Sequence, residues 1–253
     1  MDLIFAPATF EMLKKIPDKK DFTLQGFMDS YSKIPHLMRL RGPEKLLLDL
    51  TLQKDTVTLN FERNFYNPRK SQVTEYAVTV KDPKGKIVYS FKGNANDRSD
   101  VRKSCTLSGR TGDKFSIHIT DNISSYWDVY TSDQTPVRVH LNKLSQFSNG
   151  VSLYFIVRVP AGVKKFTLQY TGCHLGEYGI VAMDAAGKII QNKSKFNGKL
   201  QLPWLKDAGS SRCDIQIERK DSSQEGVYRF FTWSAGDILL NLDGIQPVIE
   251  FCR

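Results

Sequence analysis

The chain has 253 residues, 40% of them hydrophobic, and its 36 Lys and Arg against 27 Asp and Glu give a formal charge of +9. That length suffices for two domains of roughly 100 residues, each with its own core, and no apolar run approaches the ~20 residues of a membrane-spanning helix. The positive excess favours polyanions (nucleic acid, acidic polysaccharide or a membrane surface) without choosing among them.

Residues 1–44 differ in pattern from the rest. Thr9 to Ile16 places Phe10, Leu13 and Ile16 on one side of a short helix, and Asp21 can cap a second helix through Leu24, Phe27, Met28 and Tyr31. Two such helices cannot bury themselves, so they are expected to pack on the first sandwich or on an upstream domain. Met1 to Pro7 lacks the basic start of a signal peptide. A cytoplasmic protein and a piece of a longer chain are both open, and the unburied helices favour the longer chain.

From Leu46 the period changes to two, the mark of half-buried strands. Leu46 to Leu52, Val57 to Phe61, Tyr76 to Val80 and Ile87 to Phe91 alternate, the last two flanking the turn Asp82-Pro83-Lys84-Gly85. Phe115 to Ile119 and Trp127 to Leu141 follow, then the polar linker Asn142 to Gly150. A second series runs through Leu153–Val159, Phe166–Tyr170, Glu177–Met183, Lys188–Ile190, Leu200–Leu202, Asp214–Glu218, Val227–Trp233 and Ile238–Leu242, with Ile245 to Phe251 as a last candidate strand.

The two series repeat one another. Glu75 to Ile87 reads against Glu177 to Ile189 with Glu, Tyr, Asp, Gly, Lys and Ile in register. Val137 to Leu141 reads against Ile238 to Leu242, and Trp127 and Tyr130 against Tyr228 and Phe231. The expected architecture is all-β: two tandem antiparallel β-sandwiches of jelly-roll or immunoglobulin type over 45–144 and 145–253, preceded by the helical segment 1–44. Positions filled alike in both copies are read as architectural, and those peculiar to one copy as functional candidates.

On that criterion Glu75, Glu177, Asp82 and Asp184 are fold residues. His118 and His140, aligned with Gln216 and Asn241, read as an exposed polar face. Cys213, aligned with Phe115, and Cys105 read as small buried hydrophobes; a disulfide among Cys173, Cys213 and Cys252 is the other reading, and no C-x-x-C spacing supports zinc. No G-x-S-x-G elbow occurs, and no catalytic residue is assigned.

The strongest contact candidate is the stretch Arg63 to Lys70, longer here than in the second copy, where Arg63, Phe65, Tyr66, Arg69 and Lys70 interleave cations with aromatics. A plain solvated loop is the structural alternative. Trp204, in a Pro-containing loop, and Tyr126 lack counterparts; each offers a ring on which a sugar can stack, and Trp204 could equally plug one end of a core. Asn94, Asn96, Asp97 and Asp100 supply oxygens suited to a structural Ca²⁺, without the EF-hand spacing.

Val159-Pro160-Ala161-Gly162 leading to Phe166, followed by Gly176-Glu177-Tyr178 and Asp184-Ala185-Ala186-Gly187-Lys188, resembles the bacterial pre-peptidase C-terminal type of β-sandwich, a carbohydrate-binding-module-like fold. There a V-P-A-G strand pair leads to a D-x-x-G-K hairpin. The first copy keeps Asp82-Pro83-Lys84-Gly85-Lys86 but lacks the Pro-Ala-Gly approach. The resemblance implies secreted or periplasmic accessory modules attached to hydrolases, without chemistry of their own. The expected role is therefore a non-catalytic region of a larger exported bacterial protein, binding polysaccharide, acidic by preference, or packing on an upstream catalytic domain. A C-terminal fragment of a polysaccharide-active hydrolase or lyase is one alternative. A nucleic-acid-binding protein is another, backed by charge alone.

Overall fold

The computed structural model describes residues 38–41, 45–65, 73–122, 125–142, 146–147, 153–172, 176–197, 212–234 and 237–251. The helices expected within 1–37 lie outside them. Among the described residues every regular element is a strand. The first nine are β1 (Leu40–Arg41), β2 (Leu46–Thr51), β3 (Thr56–Phe65), β4 (Glu75–Lys81), β5 (Ile87–Asn94), β6 (Val101–Ser108), β7 (Lys114–Thr120), β8 (Ser125–Thr131) and β9 (Val137–His140). The second nine are β10 (Gln146–Phe147), β11 (Leu153–Val159), β12 (Lys165–Gly172), β13 (Gly176–Met183), β14 (Ile189–Asn197), β15 (Arg212–Glu218), β16 (Gly226–Ser234), β17 (Ile238–Asp243) and β18 (Val248–Phe251).

They form two antiparallel sheets, one of eight strands in the order β15-β12-β17-β10-β1-β8-β3-β6 and one of ten in the order β14-β13-β16-β11-β18-β9-β2-β7-β4-β5. Adding nine to each label converts one half of either sheet into the other. The chain is thus a duplication whose halves share both sheets across residues 144–145. A pseudo-two-fold axis passes through the Leu40↔Phe147 pair of one sheet and the Arg138↔Glu250 pair of the other, because each pair maps onto itself when the halves are exchanged.

Alternation drives this arrangement. In β3, Val57, Leu59, Phe61 and Arg63 face inward, and in β12, Phe166, Leu168 and Tyr170 do the same. One apolar cluster runs through both halves, and rings bridge the layers: Phe61 of the eight-stranded sheet meets Phe91 of the other at 5.6 Å, Trp127 meets Tyr76 at 5.9 Å, and Phe166 meets Tyr228 at 5.2 Å. Each such pair adds about 1 kcal/mol to the burial it accompanies. Arg41 of β1 reaches across the axis to Asp237 at 2.8 Å, with both side chains buried, and so ties the halves together.

The repeated hairpins behave alike. Asp82 Oδ1 accepts from the backbone N–H groups of Lys84 and Lys86 at 2.9 Å, and Asp184 Oδ1 from those of Ala186 and Lys188 at 3.0 and 2.9 Å. Gly85 and Gly187 follow at φ of 81° and 83°, a conformation that disfavours side chains.

The later part of the sequence alignment is corrected. The ladders match Val78 with Ile180, a spacing of 102, but Ile117 with Phe230, a spacing of 113. Consequently β9 matches β18, and Ile238–Asp243 matches β8. Trp127 therefore corresponds to Ile238, Tyr130 to Asn241, His118 to Phe231, and Cys213 to Lys103. The β5–β6 connection, 95–100, has six residues and the β14–β15 connection, 198–211, has fourteen. This insertion shifts everything after it, while period-two alternation lets a strand align equally well with its neighbour.

Candidate ligand-binding face

The outward side chains of β6, β3 and β8 form a polar platform on the eight-stranded sheet. The register places Asn60 opposite Ser104 and Tyr130, Glu62 opposite Arg102 and Asp128, and Asn64 opposite Tyr126. Tyr126 and Tyr130 are half-buried and four residues apart on one face of β8, hence roughly 13 Å apart along the strand. A polar neighbour holds each ring, Tyr130 through its hydroxyl and Tyr126 through one face. Tyr130 Oη donates to Glu62 Oε1 at 2.7 Å, and the Arg39 guanidinium lies over the Tyr126 ring at 5.1 Å. The Arg39 backbone N–H donates to Asp128 Oδ1 at 2.8 Å, and Asn60 Nδ2 to Ser132 Oγ at 3.0 Å.

Two shallow depressions lie end to end along β3. One of about 460 Å³ is bounded by Asn60, Glu62, Arg102, Ser104 and Tyr130, and one of about 270 Å³ by Lys54, Thr58, Thr106, Ser132 and Asp133. Burial would raise the Asp133 carboxyl, but hydrogen bonds from Lys54 and Thr135 outweigh it and hold the group below its ordinary range. The charge along the platform is mixed, with Glu62 and Asp133 set among Arg102 and Lys54.

The same surface in the second half has no aromatic residue among those described. Gln169 and Thr171 stand where Asn60 and Glu62 do, Asn241 replaces Tyr130, and Asn241 Nδ2 donates to Gln169 Oε1 at 3.0 Å. The two tyrosines belong to one copy only.

Of the residues expected to bind, Tyr126 lies on this platform. Arg63 and Phe65 are at the end of β3 rather than in a loop, and Tyr66, Arg69, Lys70 and Trp204 fall outside the described residues. Arg63 is corrected to an internal anchor: it is 0% exposed and points into the sandwich. Its Nε donates to Asp121 Oδ2 at 2.8 Å, its Nη2 to Ala95 O at 2.7 Å and its Nη1 to Asp97 O at 3.1 Å, while its guanidinium covers Tyr76 at 4.6 Å. Trp127 Nε1 donates to the same Asp121 Oδ2 at 3.0 Å. No solvent-facing donor is left on it for a ligand.

Three of the four expected calcium ligands, Asn94, Asp97 and Asp100, accept from backbone N–H groups. Asn94 Oδ1 accepts from Asn96 N–H at 2.9 Å, Asp97 Oδ1 from Ser99 N–H at 3.0 Å, and Asp100 Oδ1 from Phe65 N–H at 3.3 Å. The Ser99 bond is the main reason the Asp97 carboxyl lies below its ordinary range. Among the described residues no group of three or more His, Cys, Asp or Glu side chains is placed to hold a metal ion. Sequence reasoning missed Tyr130, Asn60, Glu62 and Arg102. The signal was present, since Asn60 and Glu62 occupy the polar phase of β3, but the shifted alignment assigned Tyr130 to the core.

Among the described residues these observations define an all-β fold of two antiparallel sheets with an aromatic-bearing polar face on the first half of the eight-stranded sheet. No protein-family model matches the chain, and no curated protein does. Solved structures similar to it include the N-terminal CBM22-1–CBM22-2 tandem domain of Xyn10C from Paenibacillus barcinonensis, at 7% identity and TM-score 0.21 over 80% of each chain. The isomalto-dextranase of Arthrobacter globiformis T6 complexed with panose is similar at 12% identity and TM-score 0.28, over 85% of this chain and 39% of that one. The PBSX exported protein XepA is similar at 6% identity and TM-score 0.26, over 81% and 87%. At these TM-scores none of them carries an argument about fold or ligand.

Proposed function

We propose that the chain is a non-catalytic carbohydrate-binding region, and that the platform of β6, β3 and β8 holds the polymer. The observation that supports this reading is the pair Tyr126 and Tyr130, present in one copy only, flanked by the planar polar side chains Asn60, Glu62 and Arg102. An aromatic ring gives a sugar an apolar surface to stack on, and carboxylate, amide and guanidinium groups match vicinal hydroxyls. The two depressions run along β3 from Thr56 to Glu62, roughly 20 Å, which suits an extended chain better than a single small ligand. Both are open, which also suits a polymer passing through. Mixed local charge means that the overall +9 does not by itself select an acidic polymer, so the expected acidic preference is open at this site.

The test is titration of the full chain with soluble neutral and acidic polysaccharides by calorimetry. Binding weakened in Tyr130→Ala and in Tyr126→Ala, and retained in Asn241→Ala, supports the reading. Binding unaffected by either tyrosine places the ligand elsewhere, and no binding to any polymer removes the carbohydrate reading.

A further inference from the structure

The outer surface of the ten-stranded sheet differs between the halves. In the first half the outward positions include Asp49, Thr79, Lys81 and His118; their matches in the second are Ile156, Val181, Met183 and Phe231. Val181, Met183 and Phe231 are 3%, 2% and 0% exposed. They are nonetheless outside the central cluster, to which their strand neighbours Ala182 and Phe230 belong. Arg229, paired with Met183 in the ladder, has a buried Nε without a hydrogen-bond partner. A row of outward side chains on a sheet is open to water unless a further layer covers it, and none of the described strands lies over this face.

Two long stretches fall outside the described residues: 1–37 and 198–211. The second joins β14 to β15, at the same edge of the two sheets, and so has the task that 95–100 performs in the first half. Residues 1–37 have no such task. They carry the helical apolar pattern of Phe10, Leu13 and Ile16 and of Leu24, Phe27 and Tyr31. They join the sandwich at Met38, beside the pseudo-two-fold axis. Even wholly helical, 37 residues span roughly 55 Å, ample to round two sheets about 10 Å apart.

We propose that residues 1–37 dock through these apolar positions on the outer face of β13, β16 and β11, as a third layer over the second half alone. The polar matches in the first half, with Lys81 where Met183 stands and His118 where Phe231 stands, disfavour the same docking there, because it would bury the Lys81 charge. The segment is then part of this fold rather than a surface left for an upstream domain.

Lysine-to-lysine cross-linking of the unmodified full chain, read by mass spectrometry, tests the placement. The expected result is links from Lys14, Lys15, Lys19 or Lys20 to Lys188 or Lys193 that persist on dilution. Links to Lys81 or Lys114 instead, no links to the second half, or links that vanish on dilution and so come from a second copy overturn the proposal. Peroxide oxidation of Met183 gives a second readout. Leu13→Asp with Phe27→Asp is expected to speed it roughly tenfold as the side chain becomes accessible, and Leu205→Asp to leave it unchanged. Acceleration by Leu205→Asp alone would assign the cover to 198–211.

Discussion

Replacing Arg63 by Met separates an internal anchor from a ligand contact. Its loss leaves the Asp121 carboxylate, 4% exposed, with Trp127 Nε1 and the Asn122 N–H as its remaining donors, and takes a donor from the Ala95 and Asp97 carbonyls. Removing one partner of a buried, hydrogen-bonded ion pair costs about 3–5 kcal/mol, because the other charge stays desolvated. For a chain of this size each kcal/mol lowers Tm by about 2–4 °C, so a fall of roughly 6–20 °C is expected. Urea unfolding followed by Trp fluorescence supplies the free energy. Arg63→Met with Asp121→Leu should recover more than half of the loss, since the unpaired charge goes too. A loss below about 1 kcal/mol, or a double variant no better than the single, would refute the reasoning.

Other outcomes follow from the same geometry. Tyr130→Ala should weaken polysaccharide binding by roughly 5–30-fold, equivalent to about 1–2 kcal/mol, while shifting Tm little because the ring is on the outer face; equal affinity in calorimetry would contradict this. Burial would raise the Asp49 carboxyl, but hydrogen bonds from His140, Lys114 and Arg138 hold it at about 2. A depressed folded pKa contributes stability above the unfolded value of ~3.9 that is lost as pH falls towards 2. The advantage of wild type over Asp49→Asn in urea unfolding should thus shrink by about 2 kcal/mol between pH 6 and pH 2, and an advantage independent of pH would count against the cluster. Burial pushes the Cys105 thiol up to about 11. At pH 8 its reaction with a disulfide reagent should be on the order of a hundredfold slower than that of an exposed thiol; fast labelling would show that the edge beside β5 opens.

Much of the fold was legible because period-two alternation is a strong signal. The repeated Asp-x-x-Gly-Lys turns gave the duplication and the true spacing of β4 and β5 against β13 and β14. The sharing of both sheets was hidden, since β1 and β10 are two residues each and no local pattern announces which strands meet across an axis. Arg63 could have been flagged: it occupies the inward phase after Val57, Leu59 and Phe61, where a cation needs a buried partner. Its partner Asp121 is 58 residues away, beyond any local signal. Tyr130 was misplaced for a different reason. The longer β14–β15 connection moved the second half out of register, and an aromatic residue fits a core strand as readily as a sugar platform.

The most direct measurement is calorimetric titration of wild type, Tyr126→Ala with Tyr130→Ala, and Gln169→Ala with Asn241→Ala against one polysaccharide that the wild type binds. The account predicts binding abolished in the tyrosine pair and unchanged in the matching pair of the second half. Equal binding by all three, or loss only in the second-half pair, would contradict recognition by the platform of β6, β3 and β8.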